Sequence, residues 1–162
     1  DWRADDGPVT VIGAGGGSRA VCYALLQEGA REILLVNRTR ERSEAIAEEF
    51  GGPINVLNWE ERHDALEGAA TVVNVTSQGM DGEDALDIRL DKLAESALAM
   101  DIIYTPLETP FLAAARERGN RTLNGLGMLL HQGLPAWNMW FGVEPTVTAE
   151  LRALMERSIT GE

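Results

Sequence analysis

A chain of 162 residues with 44% hydrophobic and 25% charged side chains has the size and balance of one soluble globular domain. Its net charge of −12 excludes a general affinity for nucleic-acid phosphates, and no apolar run approaches the roughly 18 residues that cross a bilayer. A single cysteine, Cys22, excludes an internal disulfide or a multi-cysteine metal site and suits a reducing, cytoplasmic setting.

The chain begins without Met on the acidic stretch Asp1–Asp6, which lacks a signal-peptide pattern and reads as the start of a fragment or processed product. Residues 1–8 form a lead-in. Val9–Ile12 reads as a strand, followed by a glycine cluster and a helix from about Ser18 to Glu28 that Gly29 ends. Ile33–Val36 lacks polar alternation and reads as a strand buried on both faces. Thr39–Phe50 reads as a helix, Ile54–Leu57 as a weaker strand, and Glu60–Leu66 as a short helix. Thr71–Val75 is a further strand, Ser77–Arg89 a polar and mobile loop, and Ala97–Tyr104 contains another strand. Pro110–Arg118 reads as a helix, Thr122–Leu123 as a last strand, and Leu126–Trp140 and Thr146–Ser158 as two C-terminal helices, the first kinked at Pro135. About six strands alternating with helices predict an α/β fold: a doubly wound parallel sheet of Rossmann type across residues 1–162.

Gly13-Ala14-Gly15-Gly16-Gly17-Ser18 joins the first strand to the first helix in a G-x-G-x-x-S pattern. Gly13 makes the tight turn, Gly15 admits a pyrophosphate close to the backbone, and Ser18 is small enough for helix–strand packing. The helix N-terminus adds free N–H groups and partial positive charge, and Arg19 is expected to add a full charge beside it. A dinucleotide-binding loop is the reading, against that of a glycine turn without chemistry.

The end of the second strand reads Val36-Asn37-Arg38-Thr39-Arg40-Glu41-Arg42. An NAD-binding domain places an acid there for the ribose 2′-hydroxyl. Here no acid stands at that point. Arg38 and Arg42 suit a 2′-phosphate through charge-assisted hydrogen bonds, Thr39 offers a hydroxyl or a helix cap, and Arg40 faces another side, toward Glu44. NADP(H) is therefore the expected cofactor.

Five ordered segments now resemble the shikimate dehydrogenase family. They are Gly13–Ala20, the Asn37-Arg38-Thr39 clamp with Arg42, Asn74-Val75-Thr76-Ser77-Gln78-Gly79-Met80, Asp101-Ile102-Ile103-Tyr104 followed by Thr109-Pro110-Phe111-Leu112, and Asn124–Gln132. The resemblance covers the chain from Val9 to about Pro145. Val75 stands where the family has a small Ala, and Asn124 where it often has Asp.

The resemblance implies NADPH-dependent reduction of 3-dehydroshikimate to shikimate in aromatic amino-acid synthesis. It implies that Thr76 and Ser77 lie along the cofactor, that Ile102, Gly125 and Met128 line its nicotinamide side, and that Tyr104 and Gln132 reach the substrate. The family carries a catalytic Lys–Asp pair in an N-terminal substrate domain. That domain is not in this sequence, whose only lysine, Lys92, lies outside the family's N-x-T-x-P-x-K context. No catalytic residue is therefore expected in this chain, which should be inactive alone and bind a shikimate-type molecule only with that domain. The C-terminal helices, residues 125–162, would pack toward the absent domain. Left uncovered, Trp137, Trp140 and Phe141 form an apolar patch that favours self-association.

Two other readings compete. A glutamyl-tRNA reductase-like NADP domain shares the N-R-T clamp, but Tyr104 and Gly125–Gln132 argue against it. A stand-alone dinucleotide sensor or interaction domain is the non-enzyme alternative. Cys22 reads as a small buried hydrophobe, His63 as exposed, and His131 as structural or exposed. The two histidines and one cysteine form no metal site, and the Asp81–Asp87 carboxylates lack calcium-loop spacing.

Overall fold

Strands that are apolar on both faces need helices or loops on both faces, and the computed structural model, which describes residues 2–161, supplies them. The strands are β1 (Val9–Ile12), β2 (Ile33–Val36), β3 (Ile54–Leu57), β4 (Thr71–Asn74), β5 (Leu98–Asp101) and β6 (Arg121–Leu123). They form one sheet in the order β3-β2-β1-β4-β5-β6, every pair parallel. This is the Rossmann-type order, and the chain reverses direction beside β1. The crevice beyond the carboxyl ends of β1 and β4 is the place such sheets offer a ligand.

Alternate residues of each central strand enter different cores. Val9, Val11 and Val73 pack with Cys22 of α1 (Gly16–Gln27) and Ile46 of α2 (Arg40–Phe50). Ile12, Val72 and Ala99 pack with Phe111, Leu112 and Ala115 of α3 (Pro110–Glu117). Thr10, buried in β1, is satisfied because its hydroxyl donates to the Ala65 carbonyl at 2.5 Å. Burial pushes the Cys22 thiol up to about 11, in keeping with an inert core residue.

Several expectations need correction. Residues 59–66 form two short 3₁₀ turns, Trp59–Arg62 and Asp64–Leu66, where one helix was expected. The Glu61 carboxylate accepts from the Asn58 N–H at 2.7 Å and tightens the first turn at its start. The 77–89 segment is anchored, not loose: Leu86 is buried, and Arg62 donates to the Asp87 carbonyl at 2.8 Å. His63 is half-buried, its Nδ1 accepting from the Arg89 N–H at 3.1 Å. α1 starts at Gly16, two residues earlier than expected.

The C-terminal helices are α4 (Leu126–Phe141) and α5 (Ala149–Thr160). α4 continues through Pro135, whose missing N–H falls on an exposed part of the helix. Within α4 only Leu126 is buried, while Met139 is 85% and Trp140 74% exposed. Among the described residues no helix is long and apolar enough to cross a membrane.

At the carboxyl edge of the sheet, Asn74 and Asp101 are paired in register and both fully buried. The Asp101 carboxylate accepts from Asn74 Nδ2 at 3.1 Å, Thr109 Oγ1 at 2.8 Å and the Ile103 N–H at 3.0 Å. Thr109 in turn caps α3, its hydroxyl accepting from the Leu112 N–H at 3.3 Å. Burial raises the Asp101 carboxyl above the ordinary range, with these three hydrogen bonds opposing the rise. The native state therefore holds this proton to a higher pH than the unfolded chain does, so Asp101 contributes most favourably at acid pH and less as pH rises through its folded value. Denaturation of wild type and Asp101→Asn across pH should show wild type gaining stability relative to the variant as pH falls through that window. A pH-independent difference would contradict this account.

Candidate functional site

The turn after β1 requires glycine at its first position. Gly13 has φ +113°, and a Cβ there would stand 2.9 Å from Thr76 Cγ2. Its N–H donates to the Val36 carbonyl at 2.7 Å, which ties the loop to the end of β2. Gly15 and Gly16 have open space where a Cβ would be, so a ligand meets bare backbone. The Ser18 N–H is already engaged, donating to the Gly15 carbonyl at 3.2 Å, and the start of α1 sets the positive end of its helix dipole at the loop.

Ser18 works from beneath. Fully buried, its hydroxyl donates to the Gly13 carbonyl at 2.7 Å and accepts from the Gly15 N–H at 3.1 Å. Arg19 does not face the loop as expected. It pairs with Glu49 and lies over the Phe50 ring at 5.9 Å from its centroid, because the helix turns its side chain toward α2.

Asn37 bridges the two halves of the cleft. Its Oδ1 accepts from the Ala14 N–H at 3.2 Å and its Nδ2 donates to the Thr39 carbonyl at 2.8 Å. Arg40 is engaged elsewhere, with Glu44 at 2.8 Å and Asn58 at 2.9 Å, on the face expected for it. Arg38 and Arg42 have no carboxylate partner among the described residues. Both line a cleft of about 260 Å³ together with Gly13, Ala14, Gly15, Asn37, Thr76 and Ser77. Trp59, Val75 and Gln78 complete its wall; none was expected as a site residue from the sequence, although Val75 and Gln78 fall within the Asn74–Met80 segment.

A second cavity of about 280 Å³ opens beside it, lined by Thr76, Met80, Ile102, Ile103, Tyr104, Thr105 and Met128. Its wall is largely apolar, and Tyr104 is its only titratable side chain. Thr76 borders both spaces. It is fixed there because its N–H and hydroxyl both donate to Asn74 Oδ1, at 3.0 and 2.8 Å. Gly125 lines neither space. It is buried under the Ile102 carbonyl, so close that a Cβ would collide with it, and it lets the start of α4 approach the wall. Gly16, Gly17, Thr39 and Gln132 likewise line neither cavity. Thr39 is the N-cap residue ahead of α2, with no capping hydrogen bond from its hydroxyl, and Gln132 is exposed on α4. Met128 is a cavity wall at 37% exposure and has no core role.

A Rossmann-type domain with an anion-ready glycine loop and, just beyond β2, two arginines that have no carboxylate partner among the described residues is the class these features define. Comparison with known proteins narrows it. The family model for shikimate / quinate 5-dehydrogenase matches residues 3–80. The shikimate dehydrogenase (NADP(+)) of Rhodospirillum rubrum is 52% identical over 157 residues, covering 94% of this chain and 56% of that protein. Quinate dehydrogenase from Corynebacterium glutamicum, solved in complex with NAD, superposes with a TM-score of 0.83 at 30% identity, over 92% of this chain and 54% of that one. Shikimate 5-dehydrogenase from Thermus thermophilus, solved with NADP(H) and shikimate, gives a TM-score of 0.76 at 34% identity, over 96% and 55%. The chain belongs to the shikimate dehydrogenase family, and it spans about half the length of the curated relatives it matches.

Ser18→Ala tests how the loop is held. It strands the Gly15 N–H and the Gly13 carbonyl, so urea unfolding should report a loss of about 1–3 kcal/mol. Wild-type stability in the variant would mean that the hydroxyl does not brace the loop.

Proposed function

We propose that this chain is the NADP(H)-binding part of a shikimate dehydrogenase, the activity that reduces 3-dehydroshikimate to shikimate. The observation that carries the reading is the meeting of the glycine loop with Arg38 and Arg42 in one cleft, at a strand end without an acid. A 2′-phosphate is a dianion. An Asp or Glu at that strand end would repel it, whereas two guanidiniums free of carboxylates complement it. The fold alone does not decide the cofactor, since a relative of the same fold was solved with NAD. The side chains after β2 carry the choice.

Bound NADPH supplies the hydride. The chain's own part is to seat it: backbone N–H groups of the glycine loop hold the pyrophosphate, and Thr76 stands where the two cavities meet. Ile102, Ile103 and Met128 keep water from the nicotinamide face, and Tyr104 presents its hydroxyl toward the substrate side. Gln132 is assigned to the substrate by resemblance only.

Reduction of a ketone also needs a proton donor. Lys92 is held by Asp64 at 2.9 Å and by Glu67 at 3.5 Å, and it lines neither cavity. The Lys–Asp pair of the family's N-terminal domain is proposed to fill that role. The chain alone should then bind NADPH in a fluorescence titration, bind NADH more weakly, and oxidise no shikimate with NADP⁺. Arg38→Asp or Arg42→Ala should weaken NADPH binding roughly 10- to 100-fold and leave NADH unaffected by comparison. Preference for NADH would remove the basis of the reading, and turnover by this chain would overturn the assignment of the proton donor.

When the chain is alone, a second copy is the proposed cover for the patch on α4. Trp137 and Phe141 already pack with their rings tilted, 4.8 Å between centroids, and Trp140 meets Phe141 edge-on at 6.4 Å. The charge of −12 opposes association of two copies, so screening it should strengthen their contact. Sedimentation velocity should show a dimer that grows with salt and is lost in Trp137→Ser/Trp140→Ser. A monomer at every concentration and salt level would refute the second copy.

A further inference from the structure

Trp59 is the one aromatic side chain on the wall of the 260 Å³ cleft. It follows β3, and it packs partly buried against the core that holds Ile12 and Val72. Its indole is clamped. The Arg62 guanidinium lies over the ring, 4.6 Å from the centroid. That guanidinium is itself fixed, with the Trp59 carbonyl at 3.0 Å, the Asp87 carbonyl at 2.8 Å and the Asp87 carboxylate at 2.5 Å. The Arg62 side chain is only 13% exposed, so this clamp is shielded from competing water. A flat ring braced in this way and bordering open space presents a surface that loses little entropy when a ligand covers it.

We infer that Trp59 is the platform on which the adenine ring of the cofactor stacks. The inference rests on the NADP(H) reading of the cleft. In NADP(H) the 2′-phosphate and the base are carried on adjacent carbons of one ribose. Arg38 and Arg42 fix the phosphate, and the base must then lie within the same cleft. The other wall residues there are glycine, alanine, valine or polar chains, none of which offers an aromatic face. Arg62 lies over the indole and the core backs it, which assigns the base to the part of the ring that borders the cleft. The cation over the ring also helps hold its orientation. Since Asp87 belongs to the segment between β4 and β5, the platform is braced by the same crossover that carries Met80 into the second cavity. Stacking of this kind reads a flat π-face, not the hydrogen-bonding edge, so the platform accepts purines generally.

The test compares 2′,5′-ADP with base-free ribose 2,5-bisphosphate by calorimetry on the full chain. The wild type should prefer the adenine-bearing ligand by roughly 5- to 150-fold. Trp59→Ala should collapse that ratio toward parity while leaving the affinity for the base-free ligand intact, and Trp59→Phe should keep most of the preference. A second readout is tryptophan fluorescence. 2′,5′-ADP should quench the wild type, and Trp59→Phe should lose the quench while still binding. This carries the inference even if Trp59→Ala fails to fold. An unchanged ligand ratio in Trp59→Ala, or quenching that survives in Trp59→Phe, overturns the platform and leaves the cofactor reading standing. A wild type that binds neither NADPH nor 2′,5′-ADP overturns both.

Discussion

A parallel sheet ends abruptly at its carboxyl edge, and whatever bonds the last residues make there decide where the loops above it go. In this chain that edge is governed by one amide. Asn74, the last residue of β4, is fully buried, and its side chain accepts from Thr76 through both the N–H and the hydroxyl. The same side chain donates to the Gln78 carbonyl at 3.0 Å and to Asp101 at 3.1 Å. A buried amide with every group engaged has essentially one orientation, because any other strands a donor or acceptor in the core. Thr76 is thereby fixed under Gly13 on one side and at the border of the Tyr104 cavity on the other. Through Asp101 and Thr109 the same network sets the start of α3. The two cavities thus share a wall whose position does not depend on any ligand.

Electrostatics divide the surface along the same line. A chain with net charge −12 has a field that repels anions. Several of its cations are tied up locally: Arg40 with Glu44, Arg116 with Glu108, Lys92 with Asp64. Arg38 and Arg42 differ because they stand just beyond the end of β2, where no carboxylate among the described residues pairs with them. Asn37, which fills the place an acid would occupy, spends its oxygen on the Ala14 N–H. A neutral amide at that spot both steadies the glycine loop and keeps negative charge away from the arginines. An aspartate there would accept the same hydrogen bond and oppose the same phosphate.

The central strands were legible because burial on both faces leaves unbroken runs such as Ile33–Val36, which no helix period explains. The glycine loop was legible because its backbone demands are local. What depended on tertiary partners was not. Residues 59–66 carry helix-forming side chains, yet the chain must pass from β3 at the sheet edge back to β4 within a few residues, and 3₁₀ turns fit that path. Arg19 sits one residue beyond the loop in sequence, but the helical turn carries it round to Glu49. Trp59 gave no signal, because nothing in a charged segment after an edge strand says that it returns to the cleft of Arg38 and Arg42. Gln132 was named from resemblance, and it stands exposed on α4, away from both cavities.

The rigidity of the cleft and the bareness of α4 and α5 are two sides of one arrangement. Every bond that fixes Thr76, Asn74 and Asp101 lies within the sheet and its loops, and none reaches α5. The cofactor side therefore needs no help from the C-terminal helices to keep its shape. Leu126 is the one buried residue of α4, where Gly125 brings the helix against the Ile102 carbonyl. Met128 follows within the first turn of α4 and forms cavity wall, and the aromatic cluster at Trp137–Phe141 lies more than two turns beyond it. Any surface that covers the aromatic cluster is thus linked by a single helix to a residue lining the Tyr104 cavity.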